Sequence, residues 1–162
     1  MITAVGAAHQ LPGDRPPAVV VTLEAVETHE LRRSVLRTGT LTTAVRFDED
    51  DHPDTVHLGV RRGDDLVAIS TWIVRRHPDH PHLAGVQLRG MATDPAVRGT
   101  GLGRRLLEAG LDRMRAGGAE LVWARARDTA LDFYLAHGFE TFGHGYTDLS
   151  TGLDHHDVIR HL

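Results

Sequence analysis

The stretch MATDPAVRGTGLGRRLL, residues 91–107, carries the clearest chemical signal in the chain. Glycines alternate at 99, 101 and 103, Arg98 precedes them, and Arg104 and Arg105 follow. Glycine tolerates positive φ and lets the backbone approach a ligand closely, so successive N–H groups can converge on phosphate oxygens. Leu102, Leu106 and Leu107 begin a helical pattern inside the turn. A helix starting there adds unpaired amides and its macrodipole, roughly 0.3–1 kcal/mol per interaction with an anion. The turn therefore reads as a phosphate cradle. Two common versions fail, one on spacing and one on composition. A dinucleotide fingerprint, G-x-G-x-x-G, needs glycine where Arg104 stands. A Walker A loop needs a lysine, and all 18 basic residues here are arginine.

Composition excludes more. Without cysteine there is no disulfide, no thiolate nucleophile and no cysteine-ligated zinc, and without lysine there is no Schiff base. The net charge is −4 and the arginines run from Arg15 to Arg160 without clustering, so no nucleic-acid footprint emerges. No apolar run approaches the roughly 20 residues of a membrane helix, which gives the expectation of a soluble cytoplasmic protein with no membrane partner. The 12 histidines include His77, His80 and His82 in RHPDHPH and the pair His155 and His156. Proline-interrupted loops do not impose the convergent geometry zinc requires, so no metal site is expected.

These residues need positioning elements. Residues 1–17 read as a flexible leader and 18–162 as one domain, since 162 residues bury one core rather than two. Residues 19–23 read as a strand. Leu31, Val35 and Leu36 fall at helical spacing after Thr28, a candidate cap, and Gly39 ends that helix. The segment FDEDDHPD, 47–54, reads as a solvated acidic loop. Residues 56–60 and 66–74 form a hairpin across Arg61-Arg62-Gly63-Asp64-Asp65, and a third run, 86–93, stops at Asp94-Pro95. The helix from Leu102 ends at Gly117-Gly118. A strand at 121–124, a short helix at 129–137 and strands at 139–146 and 157–162 complete the order β-α-β-β-β-α-β-α-β-β.

Arg98, Gly101 and Gly103 match Q/R-x-x-G-x-G/A, the signature of the GNAT superfamily of N-acetyltransferases, which this chain resembles. The preceding VQLRGMATDPAVRG looks like that family's central strand. ALDFYLAHGFETFG, 130–143, looks like its second motif, A-x-x-x-Y-x-x-x-G-F, and together these cover about residues 56–146. The resemblance implies an α/β (α+β) fold: a mixed, mostly antiparallel twisted sheet of six to seven strands, flanked by helices and splayed at the CoA-binding strand pair. It implies acetyl-CoA as cosubstrate, with the pyrophosphate on the amides of Gly99, Thr100, Gly101, Leu102, Gly103 and Arg104 while Arg98 positions the loop. The pantetheine arm would pair with the backbone of Met91 and Thr93, and the amide of Met91 or Ala92 would polarise the thioester carbonyl.

By the same resemblance Tyr134 is the general acid beside the CoA sulfur, against a bland reading in which it packs on Phe133 and Phe139. The base is left open among His57, His82, His144, His156 and a water chain, because Gln87 and Arg89 stand where some relatives place a glutamate. Arg127 occupies the position of a common asparagine near the CoA arm. The stretch YTDLSTGLDHHDVIR resembles a branch with small-molecule acceptors, so the expected partner is a small amine, and homodimers are common in the family. The acidic residues 48–51 suggest attraction of a cationic amine. The rival reading from another class is a non-catalytic acyl-CoA-binding or sensor module.

Overall fold

The computed structural model describes residues 15–162. Most of the expected leader therefore lies outside the described residues, and β1 begins at Ala18 (Ala18–Leu23). The remaining strands are β2 (Val56–Arg62), β3 (Asp65–Val74), β4 (Gly85–Thr93), β5 (Leu121–Arg127), β6 (Glu140–Asp148) and β7 (Leu153–His161). The helices are α1 (His29–Leu31), α2 (Leu102–Ala116) and α3 (Leu131–Ala136). The strands form one sheet in the order β1-β2-β3-β4-β5-β7-β6. Every pair is antiparallel except β4 with β5. The element order is the one expected from the sequence, and it makes an α/β domain with a mixed sheet between helices.

Alternation along β3 sorts the two faces of this sheet. Trp72 points to α2, where Gly110 lies so close that an added Cβ would sit 1.9 Å from the Trp72 ring. That face carries the main core, in which Leu106, Leu107 and Leu111 of α2 meet Leu58, Val60, Leu88, Val122 and Val158. Thr71, the next residue back, points the other way, to the helical segment after β1, and so does Ile69, which packs with Leu23, Leu31 and Ala92.

That first helical segment differs from the expected helix. It starts as a 3-10 turn at Ala25–Thr28, where Glu24 and Glu27 cap each other reciprocally, runs through α1, and widens to a π turn at Arg32–Leu36. Thr28 does not cap it; its hydroxyl donates back to the Ala25 carbonyl at 2.6 Å. The acidic loop is not wholly solvated either, because Phe47 and Asp50 are buried. The cause is Arg32, fully enclosed and bonded to both Asp50 oxygens (2.6 and 2.9 Å) and to Thr71 Oγ1 (2.8 Å). Burial pushes Asp50 up, but the bonds from Arg32 and the Phe47 amide outweigh it and hold the carboxyl below its ordinary range. An enclosed arginine needs such a counter-ion, since removing one partner of a buried pair costs about 3–5 kcal/mol.

The last strand starts four residues before the expected Asp157. Asp154, His155, His156 and Asp157 mask its pattern, yet β7 is an interior strand, paired with β5 on one side and β6 on the other. Among the described residues no helix is long and apolar enough to cross a membrane.

Candidate active site

The parallel pair β4–β5 is joined only at Gly85–Leu121, Val86–Val122 and Gln87–Trp123. Beyond these the two strands run on unpaired to Thr93 and Arg127, and a cleft of about 840 Å³ opens between them. Alternation decides what the backbone offers. Asp94 donates its N–H to Val67 of β3 at 2.8 Å, so the polar groups of Thr93 point away from β3, into the wedge. Thr93's carbonyl is met there by Arg98 Nε at 3.4 Å. The same alternation assigns the Ala92 amide to the β3 side, where Ala92 sits opposite Ile69.

A β-bulge sets the side chains. The β3–β4 register slips between Ile69 and Thr71, and Gly90 takes φ +62°. One inserted residue reverses the alternation. Before the bulge Val86 and Leu88 join the α2-side core; after it Met91 faces that core and Ala92 faces the other. Gly90 also has no room for a side chain, since a Cβ would lie 2.8 Å from Phe47 Cε2. Phe47 is itself clamped between the guanidinium groups of Arg32 (3.8 Å) and Arg89 (3.9 Å).

On the α2 side the cleft ends at the glycine turn. Gly99 and Gly101 have φ +75° and +82°, and Gly101 caps α2. The first helical bond runs from Arg105 N–H to the Gly101 carbonyl at 3.0 Å. Among the described residues no amide from 99 to 104 has a partner, the expected state of a helix start. Of the residues singled out in the sequence, Met91, Ala92, Thr93, Arg98, Gly99, Gly101, Leu102, Gly103, Arg104, Arg127 and Tyr134 all line this one cleft. Thr100 does not; its hydroxyl turns back to the Val97 carbonyl at 2.5 Å.

Tyr134 is buried on α3 and does what the bland reading expected, packing edge-on against Phe133 (5.5 Å) and Phe139 (5.3 Å), while also facing the cleft. Burial raises its pKa to about 12, which keeps the phenol protonated at neutral pH. A protonated phenol can donate to a thiolate.

The four histidines named as bases do not line the cleft. His57 is buried, its Nε2 donating to the Asp50 carbonyl and its Nδ1 bonded to Thr71 Oγ1, both at 2.9 Å. His82 and His144 are exposed elsewhere, and His156 is held by Asp128 at 2.7 Å. The sequence reading paired His155 with His156 but did not name it as a base. It lies in the cleft wall opposite Arg127, with Nδ1 donating to the Leu153 carbonyl at 2.8 Å and Nε2 left to accept. Its signal was only the period of two on β7, which needs the strand's true start to be read. Among the described residues no cluster of three or more histidine or acidic residues is arranged for a metal ion.

The other mouth is built by arginines. Trp123 faces away from α2, so Arg125 and Arg127 on β5 do too. Arg127 reaches the Leu36 carbonyl at the end of the helical segment rather than the glycine turn. Of the acidic residues 48–51, Asp50 is spent on Arg32, Glu49 on Arg75 and Arg89, and Asp51 on Arg46, while Asp48 is exposed.

A wedge in a parallel strand pair, a bulge beside it and an amide-rich helix start at its end define an acyl-CoA N-acyltransferase fold. Residues 24–139 match the Acetyltransferase (GNAT) family, and the chain belongs to it. The chain is 26% identical, over 86% of its length and 93% of the relative's, to Uncharacterized N-acetyltransferase YitI of Bacillus subtilis (strain 168). It superposes on Escherichia coli ElaA with a TM-score of 0.71 at 19% identity, covering 89% of this chain and 99% of that one. A GCN5-related N-acetyltransferase from Kribbella flavida gives 0.68 at 15%, covering 90% and 98%. At such identities the structural likeness speaks for the fold, while the family match makes the chain an N-acetyltransferase.

Proposed function

We propose that the protein moves an acetyl group from acetyl-CoA to the primary amine of a small molecule by direct attack within a ternary complex. The observation that carries this is the wedge with six unpartnered amides, residues 99–104, at one end and a buried tyrosine in its wall. The residues fit CoA. The amides and Arg98 and Arg104 suit a pyrophosphate, and the free backbone edge of β4 at Thr93 suits the amide groups of a pantetheine arm. The cosubstrate supplies the activated thioester.

The chain's own residues then handle protons and charge. The Met91 amide, beside the bulge and not claimed by the Ala92–Ile69 pairing, is the donor to the developing oxyanion, a role whose loss costs about 10²–10³ in rate. His155 Nε2 takes the amine proton, directly or through water. Tyr134, kept protonated by a pKa of about 12, donates its proton or a hydrogen bond to the departing sulfur. The acyl-CoA-binding module is the competing reading, and turnover separates them. A thiol-release screen of the purified protein with acetyl-CoA and a broad panel of amines and amino acids should find at least one acceptor. Tight acetyl-CoA binding with thiol release at background for every amine would favour the module.

A further inference from the structure

We infer that the acceptor is an amine bearing an anionic group, carboxylate or phosphate, which Arg37 and Arg127 receive at the mouth opposite the glycine turn. The inference rests on the acetyl transfer proposed above and names its substrate class.

Five arginines from four parts of the chain meet at this mouth: Arg37 after the helical segment, Arg75 after β3, Arg89 on β4, and Arg125 and Arg127 on β5. The nearby carboxylates are engaged. Glu49 pairs with Arg75 and Arg89. Asp148 accepts from the amides and hydroxyls of Ser150 and Thr151, all on Oδ1, and its charge acts on Arg37 and Arg127 without direct contact. Asp157 accepts from the Tyr146 hydroxyl at 2.6 Å and lies 3.7 Å from His77 Nε2. Among the described residues no carboxylate comes within 4.0 Å of Arg37, Arg125 or Arg127.

Arg37 and Arg127 are also brought together. Arg127 Nη2 and Arg37 Nη1 (3.5 Å) point to the same Leu36 carbonyl. Both are half-buried, so their repulsion is weakly screened. Burial first, and then the charge of Arg127, lower the pKa of Arg37 from its ordinary value, with Asp148 opposing only in part. Like charges held this way are costly in the free protein and favourable once an anion bridges them, and a guanidinium fork suits a carboxylate or phosphate equally. A polycation would add to the repulsion. Because the amine must enter the wedge while its anion stays at the arginines, a compact molecule of the amino-acid type fits, and Val35, Leu36 and Phe47 in the same wall can take an apolar side chain.

The test uses matched acceptors at saturating acetyl-CoA: amino acids, their carboxamides, the corresponding decarboxylated amines, and O-phosphorylated amino alcohols. Thiol release should favour the anionic member of each set by about tenfold or more in kcat/KM. Preference for the carboxylate or for the phosphate series identifies the group. Arg37→Gln and Arg127→Gln, checked by thermal melting, should collapse that preference. Calorimetric titration of the same compounds into the CoA-bound protein runs in parallel. Carboxylated or phosphorylated compounds that bind wild type but not the variants support the inference even where no amine turns over, a result that would sink only the transferase reading. Faster turnover of amides or polyamines would overturn the inference and leave the transferase reading intact. Failure of every anionic compound to bind or react would overturn it as well.

Discussion

The two mouths of the cleft present positive charge in different ways. At the glycine turn the positive character comes from backbone amides of six consecutive residues, 99–104, fixed by the geometry of a helix start. At the opposite mouth it comes from side chains of Arg37, Arg75, Arg89, Arg125 and Arg127, which the fold collects from positions up to 90 residues apart. A backbone cradle is rigid and tolerates side-chain change, so it suits a cosubstrate shared by a family. A side-chain cluster can be altered one residue at a time, so it suits an acceptor that differs between members. Between the mouths lies the bulge at Gly90, which reverses the alternation of β4 and so puts Met91 on the α2 face of the sheet and Arg89 against Phe47 on the other.

Breaking the centre should have the largest effect. Tyr134→Phe is expected to lower kcat by about 10²–10⁴ at unchanged melting temperature, measured by thiol release with the best acceptor. With a Tyr134 pKa of about 12, activity should rise as the acceptor amine loses its proton and show no falling limb from this group below that value. A falling limb near pH 9 that vanished in Tyr134→Phe would contradict the assignment.

Next comes the support under the arginine mouth. Asp50→Ala leaves Arg32 buried and unpaired and should cost about 3–5 kcal/mol in denaturant unfolding. Because the folded pKa of Asp50 lies below its unfolded value, its contribution is present above that unfolded value and lost as pH falls through the folded one. The wild-type protein should therefore weaken from about pH 4 downward, and the variant should show less of that dependence.

Smaller effects belong to the glycine turn. Gly101→Ala must hold φ +82°, a strain of about 1–2 kcal/mol, and by tilting the amides should raise KM for acetyl-CoA about tenfold with little change in acceptor preference. Smallest of all, Arg104→Gln removes an exposed, solvent-screened ion pair with Glu108 and should shift KM for acetyl-CoA only a few-fold, less at high salt. If Arg104→Gln proved more damaging than Gly101→Ala, the donor mouth would depend on side chains after all.

Legibility followed the same division. The element order, the family and the placing of the glycine turn and Tyr134 in one cleft could be read directly, since each rests on local spacing. The sequence misled where a local rule met a tertiary partner. The run 47–54 looked like a solvated acidic loop, but Arg32 draws Asp50 and Phe47 inside. His156 was named as a candidate base and His155 was not, because β7 hides its period behind four polar residues whose burial depends on β5 and β6. Nothing near Gly110 announced that Trp72 would leave no space for a methyl group.

By itself the sequence determined the glycine turn and its free amides, since positive φ, backbone approach and a helix start are properties of neighbours in the chain. Only the tertiary structure decided which histidine enters the cleft, where Arg127 points, and that the mouth opposite the glycine turn is lined with arginines, because strand register and the Gly90 bulge choose which side of the sheet each side chain takes.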